Sequence, residues 1–116
     1  MRWIGSSLRY LRLLPSPVRL EIGHALFAAQ QGEIDPAAKP LKGFGGASVL
    51  EIVVPHRGNA WRAIYSVRFD DAIYVLHVFQ KKSTRGISTP MREIELIRRR
   101  LADAERESSG RQNDQG

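Results

Sequence analysis

The stretch Ala72–Pro90 limits what this chain can fold into more than any other part of the sequence. Its first half, Ile73–Phe79, is almost entirely apolar and rich in β-branched and aromatic residues, which predicts a buried central strand. The stretch then turns polar and cationic, with Gln80, Lys81, Lys82 and Arg85. The pair Thr89-Pro90 is typical of a helix N-cap and first turn. A core strand, a cationic rim and a helix start are therefore expected to lie close together.

The remaining patterns predict an α+β domain, because helical spacing comes first and alternating strands follow. The predicted order is a short N-terminal strand, a two-helix hairpin, a three-stranded antiparallel meander and a C-terminal helix. The predicted bounds are Arg2–Ile4, Leu8–Leu14, Ser16–Gly32, Val49–Val54, Trp61–Phe69, the strand in Ala72–Pro90, and a helix from Thr89 to about Glu107.

The chain has 116 residues, which is the length of one domain, and we assign this domain to residues 1–107. The segment Glu33–Ser48 is rich in glycine and proline and is interpreted as a loop. The segment Ser108–Gly116 has no apolar residue, and we expect it to be a disordered polar tail. There is no cysteine, so no disulfide framework or thiolate zinc site is expected.

Strand alternation places Trp61, Ala63, Tyr65, Val67 and Phe69 on one face of their strand, which we expect to contact the helical hairpin. The opposite face then carries Arg62 and Arg68. Because the next strand ends in Lys81 and Lys82, we expect the head of Arg62 to lie near one of these lysines.

The net charge is +6, with 18 basic and 12 acidic residues, and arginine is the commoner of the two cations. Arginine binds phosphate through two parallel hydrogen bonds, so this bias favours a nucleic acid as partner. No apolar run approaches the length of a membrane span, and we expect a cytoplasmic protein without a membrane partner. No residue spacing indicates a metal site or a cofactor.

The residues that can meet a phosphate are cationic and come from neighbouring strands and loops. They are Arg62, Lys81, Lys82, Arg85, Lys42, His56 and Arg57. Cleavage of RNA by its own 2′-hydroxyl needs cations that neutralise the transition state and a base that takes the hydroxyl proton. A lysine among other cations, or a histidine, has a pKa suited to that base. Phosphate binding without catalysis explains the same residue types more simply, so both interpretations stay open.

Several segments, taken in order, resemble the RelE/ParE superfamily of bacterial toxins, and specifically its phage-derived HigB-like branch. The segments are Lys39–Gly46, Val49–Ile52, Trp61–Tyr65, Tyr74–Lys82, Thr89-Pro90 and Glu93–Arg98. The resemblance covers residues 1–107.

This resemblance implies the RelE-like fold and the activity of a ribosome-dependent mRNA endonuclease that needs no metal. The implied partners are mRNA, the ribosome and a small helix-turn-helix antitoxin encoded nearby. The implied catalytic residues are Arg62, Lys81 and Lys82, with His56 as a further candidate. Independently of the resemblance, the charge and predicted placement of Lys42, Arg57, Arg68 and Arg85 make them candidate RNA-binding residues. The chain departs from RelE at Glu51 and Val53, where RelE has basic residues.

Two alternatives belong to other functional classes. A ParE-like toxin of the same fold acts by binding gyrase, and its basic residues need not converge on a phosphate. A phage accessory protein that binds nucleic acid without cleaving it needs no antitoxin. A gene for a helix-turn-helix protein beside this one favours a toxin, and transcript cleavage during translation separates the two toxin classes.

Overall fold

The computed structural model of the protein describes residues 1–81 and 89–114, with side chains described up to residue 110. Within these described residues, three helices and five strands follow one another. They are β1 (Arg2–Trp3), α1 (Ser7–Arg12), α2 (Ser16–Gln30), β2 (Ala38–Pro40), β3 (Val49–His56), β4 (Asn59–Ser66), β5 (Tyr74–Lys81) and α3 (Met91–Asp114).

The five strands form one sheet in the order β1-β5-β4-β3-β2. All neighbouring pairs are antiparallel except β1 and β5, which run parallel. The α+β class and the central meander are confirmed, but the predicted number of strands is wrong because β2 was interpreted as loop. This strand has only three residues and ends in Pro40, and an edge strand tolerates proline because its outer N–H needs no partner.

The helical hairpin lies where the sequence predicts, but α1 spans Ser7–Arg12 and does not reach Leu14. Helix α2 has Pro17 in its first turn, and it ends at Gln30, before Gly32 with its φ of 81°. A positive φ is a conformation that glycine adopts without strain, so this residue suits the helix end. Ser7 does not cap α1; its buried hydroxyl donates to the carbonyl of Val75 at 3.1 Å and attaches the helix to β5.

The sheet is covered on both faces, so the protein has two hydrophobic layers. Helices α1 and α2 pack on one face, through Leu11, Val18, Ile22, Leu26, Leu50, Ile52, Ala63 and Tyr65. Helix α3 packs on the other, through Val49, Ile64, Tyr74, Leu76, Ile97 and Ala104. Residues 62 and 64 of β4 share a face by alternation, so Arg62 lies on the α3 side, as predicted.

Strand β4 ends at Ser66 and does not reach Phe69 as predicted. The hydroxyl of Ser66 accepts a hydrogen bond from the backbone N–H of Arg68 at 3.0 Å, which turns the chain out of the sheet. Phe69 therefore packs on the α3 side, edge-on to Tyr74 with ring centroids 5.5 Å apart. Its predicted contact with the helical hairpin is wrong because alternation stops where the strand stops.

Helix α3 continues to Asp114, so the helix end predicted near Glu107 is wrong. Ser108 is buried, and its hydroxyl donates to the carboxylate of Asp71 at 2.6 Å. A polar side chain thus anchors the helix where the sequence offers no apolar one. Of the tail expected to be disordered, residues 108–114 are helical, and residues 115–116 lie outside the described part of the chain. None of the described helices is both long and apolar enough to cross a membrane.

A bulge interrupts the pairing of β4 with β5 at Ile64 and Tyr65. Ile64 pairs with His77 and Tyr65 pairs with Val75, so Leu76 is the extra residue. A bulge lets two consecutive side chains point to the same face. Both Leu76 and His77 consequently face α3, and the residues after them keep that shifted alternation.

Candidate functional site

A basic cleft of about 740 Å³ lies between the glycine-rich loop after β2 and the first turns of α3. Its floor is the α3-facing side of β3 and β4. The polar side chains that line it are Lys39, Lys42, Glu51, Arg62, Thr89 and Arg98. Of the predicted cationic rim, Gln80 and Lys81 do not line the cleft, and Lys82 and Arg85 lie outside the described residues; Thr89 of the same stretch does line it.

The floor of the basic cleft holds a buried ion pair. Arg62 Nη1 donates to Glu51 Oε2 at 2.8 Å, and the two side chains are 13% and 4% exposed. The residues are diagonal neighbours on adjacent strands, because Glu51 pairs with Ile64 and Arg62 pairs with Val53. The buried Nε of Arg62 has no hydrogen-bond partner among the described residues. The guanidinium is thus held in place by one carboxylate, with its Nε enclosed by the protein.

Lys81 lies at the end of β5, opposite Ala60, and its side chain is on the same face as Arg62. Lys81 is buried. Its pKa is lowered, mainly because burial penalises the charged ammonium and secondly because the positive charge of Arg62 is nearby; the carboxylate of Glu51 opposes this effect. The structure therefore places a lysine with a lowered pKa near Arg62, on the face of the sheet that forms the floor of the basic cleft.

The wall of the basic cleft is fixed by Arg98 of α3. Its Nη2 donates to the carbonyl of Gly43 at 3.0 Å, and its guanidinium lies over the ring of Phe44, 4.7 Å from the centroid. Gly43 has a φ of 95°, a value that strains any residue with a side chain. Lys42, beside it, is exposed and lines the cleft, as expected for an RNA-binding residue.

The other candidate residues that the structure describes do not line the basic cleft. His56 ends β3 on the alternation that faces α2, and Arg57 lies at the exposed tip of the β3–β4 hairpin with a φ of 51°. Arg68 donates to the hydroxyl of Ser48 and the carbonyl of Phe44, both at 3.2 Å, and supports the glycine-rich loop from outside. Lys82 and Arg85 lie outside the described residues.

Two residues that sequence reasoning left out of the site belong to its floor. Glu51 lies between Leu50 and Ile52, which face the helical hairpin, and this alternation was a sufficient signal for its pairing with Arg62 on the other face. Thr89 was predicted only as a helix cap, whereas its hydroxyl donates to Glu51 Oε2 at 3.5 Å. Glu51 therefore joins β3, β4 and the start of α3.

A second polar cluster, absent from the sequence predictions, lies on the other side of α3. His77 Nε2 contacts the carboxylate of Glu93, and His77 Nδ1 faces Arg100 Nη1 at 3.4 Å. An arginine can only donate, so Nδ1 accepts and the histidine is neutral with its proton on Nε2. Accordingly, the pKa of His77 is lowered, by burial first and by Arg100 as a smaller effect, with Glu93 opposing both.

Among the side chains of residues 1–81 and 89–110, no three histidines, aspartates or glutamates gather in a way that could hold a metal ion.

A protein-family model described as "Phage derived protein Gp49-like (DUF891)" matches residues 9–102. The chain belongs to this Gp49-like family. The match runs from α1 into α3 and includes every described residue of the basic cleft. No curated protein and no solved structure matches the chain.

Proposed function

We propose that this Gp49-like protein is the toxin of a type II toxin–antitoxin system and cleaves mRNA on the ribosome without a metal ion. The observation that carries the proposal is the position of Lys81, with its lowered pKa, near Arg62, which lines the basic cleft. The Gp49-like family is commonly toxin-like in toxin–antitoxin systems, which supports the same conclusion.

Lys81 is the proposed general base. Its neutral amine takes the proton of an RNA 2′-hydroxyl, and the 2′-oxygen attacks the adjacent phosphorus. The bond from phosphorus to the 5′-oxygen breaks, which leaves a 2′,3′-cyclic phosphate and a 5′-hydroxyl that receives a proton from water. Burial and a neighbouring cation make the neutral amine available closer to neutral pH than in a free lysine.

Arg62 is the proposed stabiliser of the transition state. The five-coordinate phosphorus carries more negative charge than the starting phosphodiester, and a guanidinium fixed beforehand stabilises this charge without reorganising. Glu51 fixes the guanidinium from one side, and Arg62 lines the cleft in which the phosphate would lie. Lys42, Lys39 and Arg98 would hold the phosphates on either side of the cleaved bond.

The fold supports placement in the RelE/ParE superfamily, in its HigB-like branch, because the two-helix hairpin, the three meander strands and the last helix follow one another in the predicted order. We extend the proposal to the partners that this placement implies: a helix-turn-helix antitoxin encoded nearby, the ribosome and its mRNA, all in the cytoplasm. Lys82 and Arg85 remain proposed site residues, because they are the cations that follow Lys81 in the sequence.

Translation-dependent cleavage of a reporter transcript tests the proposal by mapping the new 5′ ends. We expect Arg62→Gln to lower the cleavage rate by about a hundredfold, the usual effect of removing one transition-state donor. We expect Lys81→Met to lower it by at least a similar factor and to remove its dependence on pH. The matched control is Arg57→Gln, which changes an exposed arginine outside the basic cleft.

Circular dichroism establishes that each variant is folded before its rate is read. Cleavage at the wild-type rate by folded Arg62→Gln or Lys81→Met would rule out the proposed roles. Inhibition of DNA supercoiling by gyrase, with intact transcripts, would instead identify the gyrase-binding class. RNA binding with neither effect would identify the accessory class.

A further inference from the structure

Strand β5 has an open edge beyond Val75. Strand β1 pairs only with Tyr74 and Val75, and no other strand of the described residues joins this side of the sheet. Helices α1 and α3 flank the open edge on its two faces. They leave an edge groove of about 560 Å³, whose apolar lining comes from Tyr10, Leu13, Leu14, Trp61, Phe79 and Leu96.

Arg100 closes the edge groove at the end nearest β1. Its Nη1 donates to the carbonyl of Leu76 at 2.9 Å, and its Nη2 donates to the hydroxyl of Ser6 at 3.1 Å. A side chain here satisfies a carbonyl that a neighbouring strand would otherwise bond. Past this point the backbone of β5 runs through His77–Gln80 along the floor of the groove. An unpaired strand edge is a template for another strand.

The walls of the groove are more apolar than an ordinary surface. Leu13 is 75% exposed and Tyr10 is 49% exposed, although both are large side chains on a short helix. Strands carry side chains alternately to their two faces, so a strand added to β5 would direct one set toward α1 and the other toward α3. Tyr10 and Leu13 would receive the first set, and Leu96 would receive the second.

The charge around the groove selects the partner. Helix α1 carries Arg9 and Arg12 with no acidic residue, and α3 adds the exposed Arg92 and Arg99. Glu93, the one acidic side chain in the lining, already contacts His77. Cations on both sides of an apolar groove are complementary to acidic residues on both sides of an apolar strand.

We propose that the edge groove binds an extended segment of a protein partner, with acidic and apolar residues alternating, by adding it as a strand to β5. The binding mode is inferred from the groove alone. The identity of the partner rests on the proposed function: if the protein is a toxin, the segment belongs to its antitoxin. A second copy of this chain is a poorer occupant, because each copy carries a net charge of +6.

A library of displayed ten-residue peptides, alternating apolar residues with aspartate or glutamate, tests the proposal on the full chain. We expect selection to yield binders whose affinity falls at least tenfold for Leu13→Asp. The matched control is Leu20→Asp, which changes an equally exposed leucine on α2, outside the groove, and should leave the affinity unchanged. Methylation of alternate backbone nitrogens in a selected peptide should abolish binding for the set that faces β5 and spare the other set.

Failure to select any binder would overturn the proposal, and so would equal binding to Leu13→Asp. If Leu13→Asp lowers the affinity but methylation of the peptide backbone does not, the groove binds peptides through apolar contacts alone. That result would exclude strand addition. A dimer that forms through this edge at micromolar concentration and blocks the peptides would make the occupant a second copy. RNA cleavage is measured in parallel, and its absence would leave peptide binding unaffected, so the two proposals fail separately.

Discussion

At the scale of single residues, the α3-facing side of the sheet differs from the other because it buries charge. Glu51 and Arg62 lie there with little exposure. So does His77 of β5, which contacts Glu93 of α3. Burying a charge is costly unless a partner offsets it; here Glu51 pairs with Arg62, and Glu93 contacts His77. The pairs on this face are therefore the residues at which stability is most sensitive to substitution.

Replacing Glu51 with methionine is expected to lower the free energy of unfolding by about 3 kcal/mol, because Arg62 would keep a buried charge without its partner. The double variant Glu51→Met, Arg62→Met should lose less than this, since it leaves no charge behind. Urea unfolding of both single variants and the double variant measures the coupling. Glu95→Gln, an exposed change on α3, is the control. Additive losses in the double variant would show that the pair does not couple.

The stability of the protein is expected to fall as the pH drops below about 6.5, the usual pKa of histidine. The pKa of His77 is lowered in the folded protein, so between the two values the unfolded chain binds a proton that the folded chain does not. Chemical unfolding at pH 5 and pH 7 measures the difference. His77→Gln should reduce it, whereas His24→Gln, at an exposed site on α2, should not. An unchanged pH dependence in His77→Gln would show that another group is responsible.

The sequence predicts some of these residues and misses others for a definite reason. Alternation along β4 is regular, so it predicts the face of Arg62 correctly. His77 is different, because a bulge shifts it onto the face of its neighbour Leu76. A bulge depends on how two strands align, and nothing in the residues of β5 alone indicates it. The same shift brings Lys81 to the side of Arg62.

At the scale of elements, the far end of α3 is attached by hydrogen bonds and not by apolar packing. The carboxylate of Asp71 accepts from the hydroxyl of Ser108 at 2.6 Å and from the hydroxyl of Tyr74 at 2.7 Å. Asp71 lies in the connection between β4 and β5, so this contact joins the last turns of the helix to the base of the central strand. The attachment is invisible to a search for apolar periodicity.

Truncation after Glu107 is expected to lower the melting temperature by several degrees, because it removes Ser108 and leaves a carboxylate oxygen of Asp71 without that donor. The matched truncation after Gly110 keeps Ser108 and should have a much smaller effect. Ser108→Ala in the full chain should reproduce most of the loss, about 1 to 2 kcal/mol. Equal melting temperatures for the two truncated proteins would show that the contact contributes nothing to stability.

Elements with many apolar residues are the ones that the sequence predicts well. The stripe from Val18 to Ala29 gives α2, and alternation gives β3. The short strand β2 was missed because three residues ending in proline carry no pattern of their own, and pairing with Leu50–Ile52 is what makes them a strand. The end of α3 was misplaced because its anchor is a serine.

At the scale of the whole molecule, α3 forms a wall of both surfaces described above. Arg98 of α3 lines the basic cleft, together with Thr89 just before the helix. Leu96 and Arg100 line the edge groove. The two surfaces therefore share one rigid element but no lining residue. A protein partner in the edge groove and an RNA in the basic cleft would contact the same helix from different sides.

Binding of single-stranded RNA is expected to weaken about fiftyfold between 50 and 200 mM salt, if about four phosphates are neutralised in the basic cleft. Lys42→Ala should make this salt dependence shallower, because one contact is lost. Arg12→Ala, an exposed change on α1 away from the cleft, should leave it unaltered. Fluorescence anisotropy at a series of salt concentrations measures both. Affinity that hardly changes with salt would exclude phosphate neutralisation as the basis of binding.

The pairing of β1 with β5 also determines the order in which the sheet can be completed. Residue 2 pairs with residue 74, so the N-terminal strand has no place to bind until the hairpin of β4 and β5 has formed. Contacts this distant in sequence carry a high entropic cost of loop closure, and they form late in folding. Until then, the hydrogen-bonding groups of β5 are open from Tyr74 onward, which makes partly folded chains prone to aggregate along this strand.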